Sequence, residues 1–116
     1  MIQRGKIYWF NLDPTIGSEI KKTRPCLVVS NDQANRYSPV VTIVPVSSSA
    51  PARTYPFEVA LDAEQGGLKK PSVLKANQIR TVDKKRVSQP ALGSGLDAST
   101  MADVAKAIKI HLDIED

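Results

Sequence analysis

Apolar and polar positions change their period once along this chain. Through the first two-thirds they come as short runs or alternate, the signature of strands; near the C-terminus they recur at helical spacing. Residues 7–12 are aromatic-rich through Tyr8, Trp9 and Phe10 and predict a strand. Asp13, Pro14, Gly17 and Ser18 then mark a loop that continues to Thr23. The run Cys26, Leu27, Val28, Val29 within residues 25–30 predicts a buried strand. Asn31 and Asp32 precede a short helical turn, because a side-chain oxygen there can accept from free N–H groups of a first turn. Residues 40–46 form a second β-branched run, and Pro45 inside it argues for an edge position or a bulge.

Phe57, Glu58, Val59, Ala60 and Leu61 alternate and predict a strand with one face on a core. Gln65, Gly66 and Gly67 read as a turn, and residues 73–76 and 79–82 as two further short strands. Beyond the glycines at 93 and 95, Met101, Val104, Ala105, Ile108 and Leu112 mark one face of a helix, with Asp97 as its N-cap. Asp103 falls early in that helix and Lys106 and Lys109 late, in keeping with its dipole. Five to seven short strands and a terminal helix predict a mainly β, barrel-like domain.

The length of 116 residues fits one domain, residues 1–116. No apolar stretch is long enough to cross a membrane as a helix, and residues 1–6 hold no signal-like core, so the expected location is cytoplasmic. Cys26 is the only cysteine, which excludes an intrachain disulfide. A formal charge of +4 permits a nucleic-acid partner without requiring one. The basic residues gather at Lys21, Lys22 and Arg24, at Lys69 and Lys70, and at Lys84, Lys85 and Arg86. Each cluster alone reads as a solvated turn; three on one small domain favour RNA.

Several chemistries lack their residues. His111 is the only histidine and lies near the apolar helix face, while the carboxylates have no metal-ligand spacing. A catalytic triad has no nucleophile elbow, and no phosphate-binding P-loop is present. Cys26 sits in an apolar run, where a thiol is structural. RNA brings its own nucleophile, the 2′-hydroxyl, and an enzyme can cut it by aligning that oxygen and neutralising charge on the phosphorus. Arg24 ends the first loop directly before Pro25, at the root of a buried strand. Its planar fork suits phosphate oxygens; an ion-paired surface arginine explains the same position.

Particular segments carry a resemblance. Arg4-Gly5-Lys6-Ile7-Tyr8-Trp9, Leu12-Asp13-Pro14, Gly17-Ser18-Glu19, Thr23-Arg24-Pro25 and Ser30-Asn31 occur in order. Val44-Pro45-Val46-Ser47-Ser48, Tyr55-Pro56-Phe57-Glu58-Val59 and Asn77-Gln78-Ile79-Arg80-Thr81-Val82-Asp83 follow. Together they resemble the MazF/PemK (Kid) family of toxin endoribonucleases from about Arg4 to Leu112. The resemblance implies an SH3-like barrel of the CcdB/PemK type with a C-terminal helix, used as a homodimer. It implies cleavage of single-stranded RNA at short motifs, without metal or cofactor, leaving a 2′,3′-cyclic phosphate and a 5′-hydroxyl. It also implies a cognate antitoxin, whose acidic, disordered tail would suit a basic groove.

By the same resemblance Arg24 is the catalytic arginine and Ser47 the catalytic hydroxyl, where relatives commonly carry threonine. Ser48 and Ser49 follow at once, so the register can slip by one. A guanidinium titrates above about 12, which favours phosphate clamping over proton abstraction. Glu19 and Lys21 fall in the loop that lines the RNA groove in relatives. Lys75 matches a position that is basic in some relatives, and Asn77 and Gln78 are placed to read base edges. Asn77 stands where relatives often carry an acid and cannot ionise. Trp9 reads as core or dimer packing rather than base stacking, and Tyr37 and Tyr55, bordering loops, are the better stacking candidates. Two other readings share the fold: a non-catalytic member that binds a protein target, and a plain nucleic-acid-binding module.

Overall fold

A computed structural model of the chain describes residues 1–48 and 54–115. Seven strands appear in chain order: β1 (Ile7–Asn11), β2 (Thr23–Val28), β3 (Val40–Ser47), β4 (Glu58–Leu61), β5 (Ser72–Lys75), β6 (Arg80–Asp83) and β7 (Val87–Gln89). Two helices join them, the short α1 (Asp32–Tyr37) and the terminal α2 (Ala98–Leu112). The sheet is antiparallel in the order β4-β5-β3-β2-β1-β7, with β6 also on β3. This is the mainly β architecture expected; the end strands β4 and β7 do not pair, so the barrel-like sheet stays open.

Alternation along the central strands builds two cores. Leu27, Val44 and Val46 join Ile7, Leu61, Leu74 and Val104 in one cluster. Cys26, Val28, Val41 and Ile43 join Tyr8, Phe10, Leu12 and Val82 in the other. Fully burying each such side chain contributes roughly 1.5–3 kcal/mol, so strands β2 and β3 are fixed from both faces. Helix α2 packs on β4 and on the 3₁₀ turn Ala76–Gln78.

Pro45 refines the sequence expectation. It lies in an interior strand, opposite Cys26 of β2. On its other edge β3 pairs with β6 through Ile43 and with β5 from Val46 onward. The two registers are offset by three residues, the turn Ala76–Gln78. The proline therefore stands where the ladder on that edge is already interrupted, the interior equivalent of a bulge.

Both expected caps form. The Asn31 side chain accepts from the Ala34 N–H at 2.8 Å, and that of Asp97 from the Thr100 N–H at 2.8 Å. Thr100 holds the Asp97 carboxyl below the usual carboxylate range by side-chain and backbone hydrogen bonds. The buried face of α2 differs in one respect: Val104 and Ala107 are buried, whereas Leu112 is 50% exposed. The three-residue β7 escaped the sequence pattern because Val87, Ser88 and Gln89 are too few to show a period.

The turn Gln65–Gly67 packs backbone against backbone on residues 92–93. Gly67 has φ +87°, and a Cβ there would stand 2.5 Å from the Leu92 carbonyl carbon and oxygen. Gly67→Ala is expected to lower the unfolding free energy by about 1–3 kcal/mol, read from urea denaturation. An unchanged midpoint and slope would show that this contact is not needed.

Candidate RNA-binding site

The first loop delivers Arg24 to the end of β2. Leu12 donates its N–H to the Lys22 carbonyl at 2.9 Å, closing the loop's neck. Arg80 donates to the Leu12 carbonyl at 3.0 Å, and Arg86 to the Asn11 carbonyl at 3.0 Å and the Asp13 carbonyl at 2.5 Å. Arg24 itself pairs across to Phe10 of β1. Its Nε donates to the Lys21 carbonyl at 3.1 Å. Among the described residues the only ion pair is between Lys75 and Glu58, so no carboxylate there compensates Arg24. The ion-paired alternative for this arginine is thus not what the described residues show.

Arg24 lines a cleft of about 700 Å³. Its apolar walls include Trp9, Pro25, Val46, Leu68 and Leu92. Among the described residues its polar lining includes Ser48 and the two lysines Lys69 and Lys70, and no acidic residue. A cavity of that size accommodates a nucleotide-sized ligand. Trp9, expected to pack in a core or dimer contact, is half-buried and forms part of this wall, while its neighbour Phe10 is fully buried.

The two candidate hydroxyls occupy different places. The β2–β3 ladder runs to Cys26 opposite Pro45; continuing that register by two residues sets Arg24 opposite Ser47. Ser47 is half-buried in β3 and pairs with Val73 of β5. Ser48, one residue on, is exposed and shares the cleft wall with Arg24 and Val46. Ser49 lies outside the described residues.

Glu19, Asn77 and Gln78 meet in a second cleft of about 460 Å³, with Ser18, Pro45 and Arg80. Gln78 holds the loop there: its Oε1 accepts from the Ile20 N–H at 3.2 Å and its Nε2 donates to the Ser18 carbonyl at 3.3 Å. The Glu19 carboxylate accepts from the Ile16 N–H at 2.8 Å. Asn77 is exposed on the 3₁₀ turn. Lys21 is exposed beside Arg24 and contributes its carbonyl. The resemblance had not pointed to Arg80 or Arg86, whose donors brace this loop; nothing in their spacing marks that role.

Lys75 stands apart from both clefts. Its ammonium lies 3.0 Å from Glu58, whose side chain is only 2% exposed against 30% for the lysine. Burial pushes the Glu58 carboxyl up, but the Tyr55 N–H and the Lys75 ammonium outweigh it and hold the carboxyl below its ordinary value. Cys26 is buried and its thiol is pushed up to about 12, against an opposing pull from Arg80, so it stays protonated at neutral pH. His111 is exposed, its ring 6.4 Å from that of Phe57. Tyr37 lies 5.5 Å beneath the Arg36 guanidinium and Tyr55 stacks on Phe57 at 5.4 Å; neither lines the Arg24 cleft. Among the described residues no three His, Cys, Asp or Glu side chains gather as metal ligands, and no helix is long and apolar enough to cross a membrane.

Residues 3–112 match the family described as PemK-like, MazF-like toxin of type II toxin–antitoxin system. The endoribonuclease MazF9 of Mycobacterium tuberculosis is 40% identical over 98% of this chain and 98% of its own. A MazF structure from Deinococcus radiodurans superposes with a TM-score of 0.81 at 29% identity, over 97% of each chain. A mycobacterial endoribonuclease in complex with its cognate antitoxin gives 0.78 at 25% identity, over 100% of this chain and 99% of that one.

Lys75→Ala strands a buried carboxylate, with an expected loss of about 1–3 kcal/mol at pH 7. The sign follows from the depressed Glu58 carboxyl. Its stabilisation is present above the unfolded value near 4.5 and is lost as pH falls through the lower folded value. The difference in melting temperature between wild type and variant should therefore narrow on acidification below about pH 4.5. A gap independent of pH would contradict this role for the pair.

Proposed function

The chain belongs to the PemK-like, MazF-like toxin family of type II toxin–antitoxin systems, and from that premise we propose that it is an endoribonuclease cutting single-stranded RNA at short motifs, with Arg24 at the centre of its site. The observation that carries the reading is the Arg24 cleft, whose lining among the described residues holds three cations and no carboxylate. A phosphate is the natural counter-charge for such a lining. The 2′-oxygen attacks the adjacent phosphorus and the bond to the 5′-oxygen breaks. One proton leaves the 2′-oxygen and one joins the 5′-oxygen, so the products are a 2′,3′-cyclic phosphate and a 5′-hydroxyl. The chemistry then needs neither metal nor cofactor.

In this reading the Arg24 guanidinium clamps the scissile phosphate and offsets charge that grows in the transition state. Ser47 is the partner hydroxyl, opposite Arg24 by the register of β2 and β3, and Ser48 contacts RNA from the cleft wall. Trp9 offers a face on which a base can stack. Lys21, Glu19, Asn77 and Gln78 border the path of the flanking nucleotides. Lys75 touches the strand only as far as its bond to Glu58 leaves a donor free.

The working unit is a homodimer in the cytoplasm, held inactive by a cognate antitoxin. The mycobacterial endoribonuclease solved with its cognate antitoxin supports that partner. An acidic antitoxin segment would answer the same cationic cleft that RNA occupies.

Protein freed of any antitoxin is expected to cut a long single-stranded RNA in excess EDTA. Arg24→Ala should slow the single-turnover rate by about 10²–10³ or more, the range for removing one transition-state donor, with the melting temperature little changed. Ser47→Ala should slow it more than Ser48→Ala. Cutting at full rate by Arg24→Ala would refute the site, and no cutting by wild type would refute the activity.

A further inference from the structure

Lys69 and Lys70 formed one of the three basic clusters of the sequence, and beyond adding to the charge of the cleft neither has been given a contact of its own. Both are exposed, and both line the cleft that holds Arg24. Among the described residues neither forms an ion pair. We propose that these two lysines are a second phosphate-binding element, holding the RNA phosphates that flank the one at Arg24. The inference rests on the RNA-cleavage reading and adds to it the direction of the bound strand, from the Arg24 end of β2 across the cleft to the turn before β5.

The lysines stand on a braced turn. Leu68, directly before them, is buried in the core. Its carbonyl accepts from the Glu64 N–H at 2.7 Å, and its own N–H donates to the Gln65 carbonyl at 3.1 Å. Ser72 Oγ donates to the Lys70 carbonyl at 2.9 Å. Behind them Gly66 and Gly67 adopt positive φ, +64° and +87°, and Gly67 meets Leu92 and Gly93 with no room for a side chain. The backbone positions of both cations are thus set before a ligand arrives, which lowers the entropy lost on binding.

Electrostatics and shape point the same way. Three cations around one cleft repel each other, and a polyanion relieves that repulsion. The cleft that Arg24 shares with the lysines is also lined by Trp9, Pro25 and Leu68, apolar residues with one aromatic among them. A cationic rim that tracks the backbone beside an aromatic that takes a base is how single strands are held without sequence readout. The division of residue types also fits. The planar guanidinium is placed at the reacting phosphate, where geometry matters, while lysines act as adaptable point charges on its neighbours.

The test uses a mixed-sequence single-stranded RNA that is 2′-O-methylated throughout, which keeps every phosphate but cannot be cut by 2′-oxygen attack. Its Kd is measured by fluorescence anisotropy across salt concentrations. Removing two phosphate contacts should lower the slope of log Kd against log salt by about 1.4, at about 0.7 per contact. K69Q/K70Q should show that drop, with binding weakened on the order of tenfold near 0.1 M salt. K69R/K70R, which keeps both charges, should hold the wild-type slope. K84Q/K85Q removes the same charge away from the cleft and should shift the slope by less than half as much. On unmodified RNA, K69Q/K70Q should raise the half-saturating concentration far more than it lowers the saturating rate. A K69Q/K70Q slope equal to wild type or to K84Q/K85Q, while wild type still cuts RNA, overturns this inference alone. A wild type that cuts no RNA overturns the activity and this inference with it.

Discussion

The structure depends on the burial of β2 and β3 from both sides. Leu27, Val44 and Val46 face one core and Cys26, Val28, Val41 and Ile43 the other. Strands clamped in this way cannot slip by one residue, because a slip would exchange the two faces. It also leaves no room for polar chemistry along their length. Charged groups and hydroxyls gather toward one end of the pair, and that is where Arg24, Ser47 and Ser48 lie. The site is therefore a consequence of the core: register fixes which residue of β2 faces which residue of β3 at the open end.

Hydrogen bonding sets the bracing arginines apart from the one in the cleft. Arg4 donates to the Val29 carbonyl, Arg80 to that of Leu12, and Arg86 to those of Asn11 and Asp13. Each ties a loop to the frame. Among the described residues Arg24 has only the Lys21 carbonyl, from its Nε, which orients the guanidinium without neutralising it. Lys69 and Lys70 share that condition in the same cleft, whereas Lys75 is neutralised by Glu58. Among the described residues Arg24, Lys69 and Lys70 thus share one cleft without a protein counter-charge, and a charge near an apolar wall is costly until an anion supplies one.

The strands and α2 were legible in the sequence because burial writes a period into it: β-branched runs at 26–29 and 40–46, and helical spacing from Met101 to Ile108. Caps at Asn31 and Asp97 were legible because capping needs a particular side chain at a particular place. Leu112 misled because periodicity does not say where the supporting sheet ends. Pro45 misled in part because the change of partner on β3 depends on a turn more than thirty residues away. Of the candidate site, Arg24, Ser47 and Ser48 were named by resemblance, not by pattern. The grouping of Lys69 and Lys70 with Arg24 was not legible at all, since long-range packing through Gly67 and Leu92 brings them together. Trp9, read as core or dimer packing, is half-buried on the cleft wall, because strand alternation cannot tell a core face from a cleft wall.

Arg24 thus marks a place where a short domain holds uncompensated positive charge against an apolar, aromatic-containing wall. A family of RNA-cutting toxins provides the context, and substrate-assisted transesterification is the chemistry this lining suits. The most direct measurement replaces a single atom of the substrate. Once a cut site is mapped, the 2′-hydroxyl at that one linkage is changed to hydrogen in an otherwise unmodified RNA. Cleavage at that linkage should cease while cleavage at other sites and binding persist; continued cleavage there, through any other nucleophile, would contradict the account.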